Sequence, residues 1–188
     1  VAGRPSHPLA SALLPLRDRR DVDLALHHEM LVAADLDLAR MTYSTWQELD
    51  AYLVRSAGIA QTLIAAVPAG ERGLAPAERE FARRLGAALR QCEMLFELDR
   101  DLARGRLYAP TTALEAVGLA PEAFVQDRRT PAARSFVAGW QDRVQSELAL
   151  LPAILAEPAL RSAQRHGLVL AALHARWLEA RSAASAPA

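Results

Sequence analysis

The sequence is short of several things, and each shortage narrows what the chain can be. Aromatic residues make up 5% of it, and no stretch alternates apolar and polar residues, so a sheet is not the expected architecture. Its one cysteine, Cys92, cannot form an internal disulfide, which excludes a disulfide-built scaffold and suits a reducing cytoplasm. No apolar run approaches the ~18–20 residues of a membrane span, and the start does not read as a leader segment. Lys plus Arg and Asp plus Glu each number 22, so no net field draws the chain to nucleic acid or to an anionic membrane. There is no Ser-His-Asp order, no CxxC pair and no phosphate-binding glycine loop.

What remains is a chain of 188 residues, 52% hydrophobic, dominated by alanine and leucine. Those residues lose little entropy in a helix, and this length suits one domain with a sizeable core. The spacing predicts a helix over 22–40 with a stripe of Leu24, Leu31 and Leu38, then a second from about Trp46 to Val67. Ser44 or Thr45 followed by Glu48 reads as a capping box for that second helix, and the small residues SAGIA at 56–60 admit a close neighbour. A loop at 68–76 leads to a long helix over 77–104, which Gly105 is placed to stop. Short helical pieces over 111–130, helices over 131–156 and 159–183, and a disordered tail at 182–188 complete an all-α, single-domain expectation.

The long helix carries Glu93, Glu97 and Asp101 at i, i+4 and i+8, on one face. Arg90, Arg100 and Arg104 lie close enough to neutralise them locally. The alternative neutraliser is a hard cation such as Mg²⁺, held by a few carboxylates together with phosphate oxygens. Leu89, Leu95, Phe96, Leu98 and Leu102 make the rest of this helix apolar, and desolvated carboxylates need partners.

The surroundings of the acidic column, LGAALRQCEMLFELDRDLARGRLYAP, resemble an aspartate-rich segment of the squalene/phytoene synthase family, which reads LGxAxQLTNILRDVxEDxxRGRIYLP. Leu85, Gly86, Ala88, Leu95, Asp101, Arg104, Gly105, Arg106, Tyr108 and Pro110 agree. GRPSHPLASALLP at 3–15 and DLDLARMTYSTWQELDAY at 35–52, with Asp37, Tyr43 and Tyr52 in register, resemble two further family segments. LRSAQRHGLVLAALHARWLEA resembles the last family helix, with His174 where tyrosine is usual. The resemblance implies a helical isoprenoid-synthase fold and Mg²⁺-assisted, head-to-head joining of two isoprenyl diphosphates inside a water-poor apolar cavity. It implies metal ligands at Glu93, Glu97 and Asp101, a catalytic cavity tyrosine at Tyr52, and substrate contacts from Arg106 and Tyr108. It also implies peripheral membrane contact.

Several positions depart from that pattern. The family's first aspartate-rich segment belongs upstream of this chain, which begins with Val rather than Met, so a fragment boundary and a companion subunit or copy covering the missing helices are expected. Arginine is replaced by Phe96, asparagine by Glu93, glutamine by Arg90, and a glycine by Gln61, which places a polar side chain at the substrate position. Two functions follow: a squalene/phytoene synthase-like prenyltransferase, or a non-catalytic relative that binds lipid or serves in assembly. His27 and His28 read as surface residues, Cys92 as a small core residue, and Trp46, Trp140 and Trp177 as packing anchors. Asp35 and Asp37 diverge on their helix and do not make a joint metal site.

Overall fold

The computed structural model describes residues 7–13, 26–39 and 42–185. Among them every regular element is helical: α1 (Pro8–Leu13), α2 (Leu26–Leu38), α3 (Trp46–Leu53), α4 (Ile59–Ala69), α5 (Pro76–Phe96), α6 (Leu98–Ala103), α7 (Thr111–Glu115), α8 (Pro121–Gln126), α9 (Pro131–Ile154), α10 (Pro158–Ala163) and α11 (Arg165–Ser185). A π-helical turn, Val54–Gly58, joins α3 to α4.

Helix α5 is the axis of the bundle, packed against the π turn, α4, α9 and α11. It is buried along its length, through Phe81, Ala82, Leu85, Ala88, Cys92, Met94 and Leu95. The SAGIA stretch does admit a close neighbour, and that neighbour is α5. A Cβ on Gly86 would fall 2.2 Å from the Ala57 carbonyl oxygen, so only glycine allows this crossing.

Thr45 caps α3: the Glu48 amide donates to Thr45 Oγ1 at 3.2 Å, while Glu48 Oε2 accepts from the Ser44 amide at 2.6 Å, one residue before the expected partner of a capping box. Gly105 takes φ 73°. Its amide donates to the Leu102 carbonyl and that of Arg106 to the Asp101 carbonyl, both at 2.9 Å, closing α6 in a Schellman turn.

Four expectations change. The helix over 77–104 is interrupted at Glu97, where the backbone turns to φ −95°, ψ 8°. The helix over 159–183 is broken at Gln164, whose buried side chain bonds Glu78 rather than facing solvent. The last helix continues to Ser185, through residues expected in the tail, while 186–188 lie outside the described residues. The leucine stripe of α2 faces outward: Leu31 is 63% and Leu38 78% exposed, and Leu24 lies outside the described residues. The face of α2 that packs inward carries Ala33 and Leu36, because the small-residue π turn it meets leaves room for alanine.

Candidate functional site

Three segments converge beside the acidic column. The turn after α6 runs back along residues 43–45: the Thr111 amide donates to the Tyr43 carbonyl at 3.0 Å, and that of Thr112 to the Ser44 carbonyl at 3.1 Å. This pairing sets Tyr108 beside Tyr43 and Tyr52, with ring centroids 6.4 and 6.1 Å apart respectively. Asp37, from α2, accepts the Tyr52 hydroxyl at 2.9 Å and the Tyr108 hydroxyl at 3.0 Å. Burial raises all three phenols above their ordinary range, and Asp37 adds to the rise, so they stay neutral. Arg90 completes the group, its guanidinium carbon 5.8 Å from the Tyr108 ring centroid.

The three predicted metal ligands fare differently. Glu93 stands on an exposed flank and accepts from Arg90 Nη1 at 3.0 Å. Glu97 is half-buried and paired with Arg100. Asp101 is 5% exposed and has no side-chain hydrogen bond or ion pair among the described residues. Burial pushes its carboxyl above the usual carboxylate range; the Arg90 charge is the strongest opposing influence, and Glu97 adds to the rise. Among the described residues no group of three or more His, Cys, Asp or Glu is placed to share one ion. A hard cation would therefore meet two carboxylates here, Glu97 and Asp101, which suits an ion that takes its other ligands from water and phosphate. The buried, unpartnered Asp101 is the observation that makes the fit.

Beside this column a cavity of about 360 Å³ opens between α5 and α11. Phe96, Leu173 and Trp177 are its apolar wall, with Glu93, Glu97, Cys92 and His174 around them. Phe96 is 66% exposed and meets Trp177 edge to face, centroids 5.5 Å apart. Burial, with Glu93 beside it, pushes the Cys92 thiol up to about 12, so it is no nucleophile at neutral pH.

Arg106 is partly exposed, directly behind Asp101 in the Schellman turn. Gln61 lies apart from the residues lining this cavity; it is buried on α4, and its Nε2 has no hydrogen-bond partner among the described residues. His27 and His28 are exposed, as expected of surface residues. Arg90, expected as a local neutraliser of the column, is partly buried and does pair with Glu93. What escaped the sequence reading is the role of Asp37 as the shared tyrosine acceptor; its register with the aligned tyrosines was the hint.

Compared with known proteins, residues 2–186 match the profile described as Squalene/phytoene synthase. Phytoene synthase 3 of Zea mays is 31% identical over 145 residues, 73% of this chain and 33% of its own length. The 15-cis-phytoene synthase of Synechocystis is 30% identical over 123 residues, 61% of this chain and 36% of its own. The chain thus spans about a third of the length of these curated relatives. Among solved structures, squalene synthase HpnC from Alicyclobacillus acidocaldarius superposes with TM-score 0.66 at 23% identity, covering 85% of this chain and 62% of that one. A dehydrosqualene synthase in complex with ligand gives TM-score 0.70 at 16% identity, covering 93% and 60%. Those two likenesses establish the fold.

Proposed function

The chain belongs to the squalene/phytoene synthase family, and on that footing we propose that it acts as a prenyltransferase on isoprenyl diphosphates, joining them head to head. The reading rests on one observation above all. Asp101 is buried without a side-chain partner among the described residues, one turn from Glu97, which lines an apolar cavity. Such a carboxylate is stabilised by a cation arriving with a polyanionic ligand.

Glu97 and Asp101 would hold Mg²⁺ through their carboxylate oxygens, and Glu93, engaged by Arg90, stands outside that pair. When bound, the ion neutralises the diphosphate as it leaves. Arg106 presents a second positive charge to the same anion from the turn behind Asp101. Phe96, Leu173 and Trp177 keep water from the hydrocarbon end, where positive charge develops. Tyr52 and Tyr108 act as neutral groups. Their hydroxyl protons are committed to Asp37, so they line the site with oriented rings and oxygens and do not serve as bases.

The test is calorimetric titration of farnesyl or geranylgeranyl diphosphate with and without Mg²⁺, followed by analysis of the hydrocarbon products. Binding that requires Mg²⁺ and weakens at least about tenfold in Glu97→Gln/Asp101→Asn is expected. Unchanged binding in that double variant would remove the reading. Mg²⁺-dependent binding without product would favour a non-catalytic, ligand-binding relative.

A further inference from the structure

We infer that Arg90 is a resident counter-ion of the acidic face and sets how strongly that face binds a divalent metal. The inference rests on the two-carboxylate reading of Glu97 and Asp101 and concerns a residue outside that pair.

Positions 90, 97 and 101 differ by 7 and 11 residues, close to two and three helical turns, so they share one face of the α5–α6 run. The backbone keeps this alignment through the break, since the Glu97 amide donates to the Glu93 carbonyl and the Asp101 amide to the Glu97 carbonyl, both at 2.8 Å. Arg90 points along that face. Nη1 holds Glu93 at 3.0 Å, and the guanidinium lies over Tyr108, which stands in the segment just after α6. Its side chain is 22% exposed, so solvent screens its charge less than that of a surface arginine.

Two consequences follow from the placement. Glu93, exposed and held by Arg90, stands outside the Glu97–Asp101 pair, and Glu97 carries its own ion pair, to Arg100, which an entering cation must displace. Asp101, buried and without a side-chain partner, takes what compensation it has chiefly from Arg90 at a distance. A guanidinium does not deprotonate near neutral pH, so this positive charge is permanent. A divalent ion entering beside Asp101 meets it as a repulsion. Arg90 therefore lowers the metal affinity of the free face and leaves it receptive when the ion arrives already bound to diphosphate.

The probe is Mg²⁺ alone, titrated by calorimetry against the wild-type chain, Arg90→Gln, Arg90→Met and Arg90→Lys, each with and without Asp101→Asn, with circular dichroism to establish folding. Arg90→Met keeps the apolar stem, so it serves if Arg90→Gln does not fold. Expected is binding roughly tenfold tighter in Arg90→Gln and Arg90→Met, no gain in Arg90→Lys, and loss of the gain on adding Asp101→Asn. Folded neutral variants that bind Mg²⁺ no tighter than wild type, while Asp101→Asn still weakens binding, would overturn the role of Arg90 alone. Binding insensitive to Asp101→Asn in every background, or none in any, would overturn the two-carboxylate reading and this inference with it.

Discussion

Two buried carboxylates lie on the same helical run and are treated in opposite ways. Glu78, in the first turn of α5, is 0% exposed. Arg72 grips both its oxygens at 2.6 and 2.7 Å, the Ala75 amide donates at 2.9 Å, and Gln164 Nε2 donates at 2.9 Å. The Arg72 hydrogen bonds outweigh burial, and the carboxyl is held down at about 2. Asp101, in α6, is almost as buried, has no side-chain partner among the described residues, and its carboxyl is raised by burial. Glu78 ties the α4–α5 connection to the α10–α11 junction. Asp101 ties nothing and keeps its acceptor capacity open. Position on one helical run does not decide whether a buried acid is tied into the framework; the segments packed around it do.

The largest expected effect tests the architectural half. Glu78→Ala strands Gln164 and the Ala75 amide and should cost about 3 kcal/mol in chemical denaturation. Asp101→Asn should leave stability unchanged or raise it, because it removes a buried charge that Arg90 compensates only in part. A loss in Asp101→Asn as large as that in Glu78→Ala would erase the distinction. The same pair separates by pH. A depressed carboxyl contributes stability that is full above its unfolded value of about 4.3 and is lost as pH falls toward 2. A raised carboxyl works the other way: its ionisation in the fold costs stability as pH rises above about 3.9. Melting temperatures from pH 2 to 7 should therefore show wild type losing its advantage over Glu78→Gln in acid. Asp101→Asn should gain on wild type as pH rises.

Next in size is the tyrosine acceptor. Asp37→Ala leaves two buried hydroxyls, those of Tyr52 and Tyr108, without their partner and should cost about 2 kcal/mol. Tyr52→Phe and Tyr108→Phe should each cost about 1 kcal/mol. The double-mutant cycle of Asp37→Ala with Tyr108→Phe should show coupling, read from denaturation midpoints at constant slope. Additive losses would mean that Asp37 holds neither ring, and that the site side of the comparison has no framework of its own.

Much of this was legible in the sequence, and what was missed has a common cause. Local chemistry spoke plainly: the Thr45 cap, the Gly105 stop, the acidic column and the run of helices all follow from neighbours within a few residues. The partners of buried charges did not. Glu78 meets Gln164 86 residues away, and Tyr108 meets Asp37 71 residues away, so no window of sequence contains either pair. The same holds for α2, where leucine spacing suggested a buried stripe, but the narrow gap beside the π turn admits Ala33 and leaves Leu31 and Leu38 outside. In the acidic column the local pairings were legible, Arg90 with Glu93 and Arg100 with Glu97, but not that Asp101 would be buried without one among the described residues.

The smallest change sharpens the comparison at the rim. Phe96 is largely exposed, and Trp177, met edge to face, is its one ring partner among the described residues. Phe96→Arg gives up that contact and some apolar burial, an expected cost of about 0.5–1 kcal/mol, partly offset by stacking of the guanidinium on Trp177. It also sets a new positive charge beside Glu97, on the cavity side of the acidic column. If that column is a binding face, the new charge should act on ligands and hardly on stability. Affinity for a diphosphate with Mg²⁺ should rise severalfold while the denaturation midpoint barely moves, and the gain should be smaller for Phe96→Lys, which cannot grip two oxygens at once. A charge placed there that alters folding and leaves diphosphate binding untouched would put Glu97 with Glu78 among the residues that merely hold the bundle together.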